Sequence, residues 1–445
     1  MTNVREMQDQ AQLRHQEILK MTERYFNDSD LEARFHCDLG FYYFHRNYDL
    51  STALQYGQIA LSLAQSRGNL RRQCDAPNTL GELKTLAGDY AAGQAYVHEV
   101  QRPAKTCGDF GREARGLYNE AICLMSLGEY QECLALTTRG REILGLGGLS
   151  HGRLSYLLME VQAGAHQFKS EYFQAHNIQN QILQRTTNDN NQQAFSLMTI
   201  AEIEIPMGVS RIEIQKKIEA AQVIFRASGY AMFSIACDTI QADLNLREGD
   251  LSCPLFCKCL QLGWGKYSEA VSYCLERLAD IDRWEGYHHP TSWTAVFLAH
   301  SFKAKQRLEI HKALQFLGDV FLREDDEATA IFLFTLALEG FTQMDVHRSR
   351  AECMIRLGDI SKHGDLLTAL ELWETARPLF EHSSQAKHVQ NIDERLAGID
   401  ENVKEQHRRR LAQIVKLNTP TTKVEEIEED LSENKLEEEV GLIAA

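Results

Sequence analysis

One stretch of this chain gathers side chains of the acid–base type: Asp280-Ile281-Asp282-Arg283-Trp284-Glu285-Gly286-Tyr287-His288-His289. Carboxylates beside aromatic rings and imidazoles suit proton transfer or a grip on a sugar ring. A glycosidase toroid of paired helices would carry such groups in loops on one rim and would lack a regular repeat. Cys253, Cys257 and Cys259 form a second cluster, of thiols that suit a soft metal. A structural zinc site needs four ligands, and no further Cys or His pair follows at a familiar spacing, so these cysteines read as small core residues. The sixteen histidines show no outstanding metal-ligand spacing, and no metal is expected. Gly263-Trp264-Gly265-Lys266-Tyr267 lacks the spacer and the hydroxyl of a phosphate loop, and Gly145-Leu146-Gly147-Gly148 follows no strand. No nucleotide or other cofactor is expected either. His407-Arg408-Arg409-Arg410 reads as a solvated face of a terminal helix.

The bulk chemistry narrows the class further. A net charge of −16 disfavours nucleic acid or an anionic membrane surface as the partner, because phosphates repel such a body. Nine of the acidic residues follow Thr421, against only Lys423 and Lys435 there. Eleven cysteines without a disulfide frame imply free thiols and a reducing, cytoplasmic setting. Met1 to Lys20 has no apolar signal core, and no apolar run is long enough to span a membrane.

Any chemistry must be positioned by helices, since proline is scarce and Leu, Ala, Glu and Gln are plentiful. The helices recur. Ala313-Leu314-Gln315-Phe316-Leu317-Gly318-Asp319-Val320 returns 40 residues later as Cys353-Met354-Ile355-Arg356-Leu357-Gly358-Asp359-Ile360. Gly88-Asp89-Tyr90 returns as Gly128-Glu129-Tyr130 at the same spacing, and as Ser170-Glu171-Tyr172 two residues beyond the next. Each unit carries a small pair in its first helix (Leu39-Gly40, Leu80-Gly81, Leu317-Gly318, Leu357-Gly358), then a turn, then a second helix with alanines such as Ala53 and Ala60 or Ala330 and Ala337. Glycine inside a helix costs about 1 kcal/mol relative to alanine, so its return at one phase implies a close helix crossing. Nine pairs follow, beginning near Leu31, Gln73, Arg112, His151, Asn191, Tyr230, Lys266, Leu308 and Arg348. The pair after Tyr230 has a short second helix, Pro254 to Leu262, and Pro206 falls between the helices of the fifth.

These residues resemble the tetratricopeptide repeat. The resemblance implies an all-α, right-handed superhelical solenoid of antiparallel helix pairs. The expected divisions are a lead-in over 1–30, the solenoid over 31–382, one capping helix over 383–417 and an acidic tail over 418–445. More narrowly, Ala242 to Asp250, Lys312 to Leu322, Phe341 to Ser361, Trp373 to Phe380 and Gln406-His407-Arg408 are similar to the arrays of mushroom-fungal proteins that carry NACHT or NB-ARC switch domains. In those relatives the array senses a partner or holds the switch shut.

A stack of such pairs turns the first helix of each toward a concave wall. Counting from Leu-Gly, the inward residues are Arg34, Cys37, Phe41 and Phe44 in the first pair. Asp75, Asn78, Glu82, Arg115, Tyr118 and Ile122 follow in the second and third, and Lys312, Gln315, Asp319, Glu352, Ile355 and Asp359 in the eighth and ninth. Aromatics mixed with charges suit an extended or helical peptide, so the expected partner is a protein or peptide bound without catalysis.

Overall fold

The computed structural model describes residues 29–44, 49–66, 68–86, 89–247, 253–264, 268–285 and 291–418. The expected lead-in before 29 and the acidic tail after 418 lie outside the described residues, as do Gly88, Gly249-Asp250 and His288-His289. Among the described residues there are twenty helices and no strand. They run as α1 (Ser29–Tyr42), α2 (Leu50–Ser66), α3 (Arg72–Leu86), α4 (Tyr90–Cys107), α5 (Phe110–Leu127), α6 (Tyr130–Leu146), α7 (Arg153–Phe168), α8 (Tyr172–Arg185), α9 (Asn190–Met207) and α10 (Arg211–Ala227). They continue as α11 (Ala231–Leu246), α12 (Cys253–Gly263), α13 (Ser268–Glu285), α14 (Thr291–Ala304), α15 (Arg307–Arg323), α16 (Glu327–Gln343), α17 (His347–Ser361), α18 (Leu366–His382), α19 (Ala386–Ala397) and α20 (Glu401–Asn418).

The turns explain the regular breaks. Gly108, Gly128 and Gly208 end their helices with φ between 61° and 81°, the left-handed cap that glycine adopts without strain. Several of the helices then start on an aspartate that caps them. Asp109 accepts from the Arg112 amide at 3.1 Å, and Asp189, Asp326 and Asp365 cap α9, α16 and α18 in the same way.

From α1 to α18 each helix packs on its successor, α20 packs on α18, and through most of the array the odd-numbered helices also touch the next odd-numbered one. Consecutive first helices therefore crowd together on one wall while the second helices spread on the other, and the first-helix wall is concave. The small residues work as the repeat implied. A Cβ added at Gly318 would come within 2.7 Å of the Phe334 ring, and one at Gly358 within 2.6 Å of Trp373 Nε1. A side chain at either position would push the paired helix away.

Two details differ from the sequence reading. The stretch 383–417 forms two helices, α19 and α20, rather than one: the chain breaks at Gly398, and Asp400 accepts from the Asn402 amide at 2.7 Å to start the second. Pro206 lies inside the last turn of α9, not between helices. Its ring displaces only one amide bond there, and its carbonyl accepts from Gln385 Nε2 at 2.8 Å.

That last contact joins residues 179 apart, and it is one of a series. The α5–α6 turn meets the start of α15, where Arg307 Nη1 donates to Glu129 Oε1 at 3.1 Å. The α7–α8 turn meets the α16–α17 turn, where the His347 amide donates to the Lys169 carbonyl at 3.1 Å and Lys169 Nζ lies 3.1 Å from Asp345. Each contact advances nine helices. The superhelix is wound so tightly that its successive turns touch along a seam. One apolar cluster crosses that seam, with Ala121, Tyr130, Cys133, Val161 and Ala165 from the earlier turn against Leu308, Ala337, Phe341, Met344 and Val346 from the later one.

Candidate binding site in the superhelical lumen

Because the turns meet, the concave wall encloses a lumen, and polar side chains line it as rungs between consecutive first helices. Arg112 Nε donates to Asp75 at 2.8 Å and Arg115 Nη2 to Glu82 at 2.7 Å between α3 and α5. Tyr273 Oη donates to Asp243 at 3.1 Å between α11 and α13, and Lys312 Nζ to Glu276 at 3.0 Å between α13 and α15. Asp319 accepts from both Arg283 (2.6 Å) and Arg356 (2.7 Å). Gln315 Nε2 donates to Glu352 at 3.0 Å, and Arg395 forms a two-point bridge to Asp359 at 2.8 and 2.9 Å. Paired charges of this kind offset the cost of leaving bulk water only while each partner is present.

The expected inward residues fall into three groups. Asn78, Glu82, Arg115 and Tyr118 meet where α3 packs on α5: Asn119 Nδ2 donates to the Asn78 carbonyl at 3.1 Å, and the Arg115 guanidinium sits 5.8 Å from the Tyr118 ring. Ile122 and Tyr118 also pack against the seam cluster. Lys312, Gln315, Asp319 and Ile355 come together in the later half. Arg34 and Phe41 stand on α1 and Phe44 just beyond its end, at the start of the array; Arg34 is exposed, 4.0 Å from Asp38, and the two phenylalanines are half-buried.

The lumen widens among α11, α13, α15, α17 and α19 into a cavity of about 520 Å³. Its lining carries Arg247, Arg277, Arg283, Arg348, Arg356 and Arg395 against Asp243, Asp280 and Glu352, with Gln315, Ile355 and His388 between them. The six guanidiniums outnumber the three carboxylates of the lining itself, and Asp319, Asp359 and Glu276 behind it balance most of that excess. Against the upward push of burial, Arg348 and Arg283 hold Glu352 down at about 2. Burial holds His388 below its ordinary range, with Arg348 and Arg247 adding to the effect.

Arg247 is the exception to the pairing. Among the described residues its nearest counter-ion is Asp243 at 4.0 Å, beyond hydrogen-bond range, and that carboxylate already serves Tyr273 and Arg277. Burial works against its charge, Asp243 favours it, and Arg348 and Arg277 oppose it. The side chain is 35% exposed, so an anion from solvent has access to the guanidinium.

Most of these arginines escaped the sequence reading for identifiable reasons. Helix α13 has no Leu-Gly mark from which to count a phase, so Arg277, Asp280 and Arg283 had no assigned direction. His388 and Arg395 belong to the stretch read as a cap. Asp280 and Arg283 of the acid–base-like string are 2.5 Å apart and serve this network, while Asp282 caps the Trp293 amide at 3.0 Å.

Two carboxyls on the same wall titrate near neutrality. Burial raises Glu202 to about 7, with Asp243 adding to it and Arg277 opposing, and burial raises Glu160 likewise to about 7. An unfolded glutamate ionises near 4.5. The folded chain therefore holds a proton that the unfolded chain has released, and stability falls as pH rises from about 4.5 to 7. Glu202→Gln is expected to stabilise the chain by about 1–3 kcal/mol at pH 8 and to change nothing at pH 4.5. Denaturant unfolding at both pH values checks this, and an equal effect at each pH would contradict it.

No protein-family model and no curated protein sequence matches the chain. Solved structures similar to it include a Rap protein complexed with competence and sporulation factor, at 11% identity and a TM-score of 0.47, over 76% of this chain and 99% of that one. Another is the P58(IPK) TPR domain, at 15% identity and a TM-score of 0.21, over 82% of this chain and 98% of that one. Likenesses this distant carry no argument about ligands. Among the described residues, the helix pairs and close crossings make an all-helical superhelical solenoid of antiparallel pairs.

Proposed function

We propose that this protein is a non-catalytic scaffold that takes a carboxylate-bearing peptide segment of a partner protein into its superhelical lumen. The observation that carries the reading is Arg247, a guanidinium on the cavity wall whose nearest carboxylate stands at 4.0 Å and is shared with Arg277. An aspartate, glutamate or terminal carboxylate seated beside Arg247, Arg348 and His388 would give Arg247 a hydrogen-bonded counter-ion in place of its 4.0 Å approach to Asp243. Gln315 and Ile355 sit in the same cavity and give such a segment a polar and an apolar contact. Tyr118, Ile122, Arg115, Glu82 and Asn78 would meet the same chain further along the inner wall, with Phe41, Phe44 and Arg34 as apolar and charged contacts at the first helix. Free thiols at Cys37, Cys74, Cys123, Cys133, Cys237 and Cys353 support a reducing, cytoplasmic setting. The alternative, a sensor arm separated from a NACHT- or NB-ARC-type NTPase, rests on the quoted sequence strings alone.

Peptide display against the full chain tests the reading. Selected peptides are expected to be enriched in Asp and Glu. They should bind Arg247→Glu at least tenfold more weakly, while the melting temperature of that variant stays within about 2 °C of the native value. Selection without acidic enrichment, or equal binding by Arg247→Glu, would overturn it.

A further inference from the structure

The seam between superhelical turns brings together side chains that no spacing in the sequence connects. Glu171 stands at the N-terminus of α8, His347 at the start of α17 and His382 at the end of α18. One donor atom from each lies within 4.8 Å of the other two. Glu171 Oε1 is 3.3 Å from His347 Nε2 and 3.6 Å from His382 Nε2, and His166 Nδ1 is 2.5 Å from Glu171 Oε2. We propose that Glu171, His347 and His382, with a water completing the shell, form a zinc-type transition-metal site that clasps one superhelical turn to the next, His166 supporting the carboxylate through its other oxygen.

The geometry suits the ion. Bonds of about 2.0–2.1 Å in a tetrahedral shell set neighbouring donor atoms about 3.3–3.5 Å apart. The two Glu171–histidine separations bracket that range, and the 3.6 Å separation is already too long for a hydrogen bond. Imidazole nitrogens with one carboxylate oxygen are the donor set that divalent zinc prefers over calcium or magnesium.

The surroundings are also those of a supported site. Lys169 Nζ lies 2.8 Å from Glu171 Oε1 and 3.1 Å from Asp345, so the lysine orients the ligating carboxylate while Asp345 balances the ammonium charge. Asp345 Oδ1 is 3.8 Å from His347 Nδ1, a buried ring nitrogen without a hydrogen-bond partner. A small closure converts that approach into the carboxylate–histidine–metal arrangement that sets the imidazole's tautomer. Glu171 and His347 are buried, whereas the His382 side chain is 47% exposed, which leaves the ion a route in. The ligands come from opposite sides of the seam, so the ion would bind only the wound form and favour it.

The test uses the untagged full chain and Zn²⁺ alone. One ion per chain should bind at pH 7.5 and raise the melting temperature by about 3 °C at a hundredfold excess over Kd. His382→Ala should weaken binding at least tenfold and abolish the rise, and His363→Ala, which alters an exposed histidine outside the cluster, should preserve both. Co²⁺ in the native chain should give the absorption of a tetrahedral site, absent from His382→Ala. The proposal is overturned if Zn²⁺ leaves the native melting temperature unchanged, or raises it equally in both variants.

Discussion

Asp319→Ala is expected to destabilise the chain by about 3–5 kcal/mol, the cost of breaking a buried charge pair by removing one member. Asp319 is 8% exposed and accepts from Arg283 on one inner helix and Arg356 on the next but one. Its removal takes one carboxylate from two guanidiniums at once. Arg283 retains Asp280 at 2.5 Å, with its guanidinium 4.1 Å from the Phe316 ring. Asp319→Asn keeps an oxygen acceptor and should cost less than the alanine variant. Chemical denaturation followed by circular dichroism measures both. A loss under about 1 kcal/mol for Asp319→Ala would mean that the inner rungs are solvated ornaments, as exposed ion pairs usually are. Because Asp319 braces the arginines of the cavity wall, acidic-peptide affinity should fall in the same variant even at temperatures where it remains folded.

The second large effect concerns the seam. Phe341 has no exposed surface and belongs to the apolar cluster shared by the two superhelical turns. Phe341→Ala is expected to cost about 3–5 kcal/mol through lost burial and the cavity left behind. Phe334, equally buried, instead packs beside Gly318 at the crossing of α15 and α16. Phe334→Ala should therefore lose similar stability without freeing one turn from the next. Small-angle scattering separates the two: the radius of gyration should increase for Phe341→Ala and stay near the native value for Phe334→Ala. Equal radii would show that the polar contacts of Glu129, Lys169 and Gln385 hold the turns together without the cluster. The distinction bears on function, since an opened seam would widen the lumen and separate Glu171 from His347.

Local chemistry determined much of this protein in the sequence itself. Glycine at one phase, alanine at the facing phase and an acidic residue at several turns demand paired helices of similar length, because only small residues let two axes cross closely and only certain side chains cap a helix start. That is why the solenoid could be read before any coordinates. The number of helices per superhelical turn could not be read. It depends on small angles accumulated over nine successive crossings, each set by how individual side chains interlock, and a few degrees at each decides whether the turns touch. Tertiary structure alone therefore brought Arg247 beside Arg348 and His388, and Glu171 beside His347 and His382, across separations of 101 to 211 residues. Side-chain partners at such distances leave no periodic trace, because the chain between them is constrained by its own packing and not by the contact it closes.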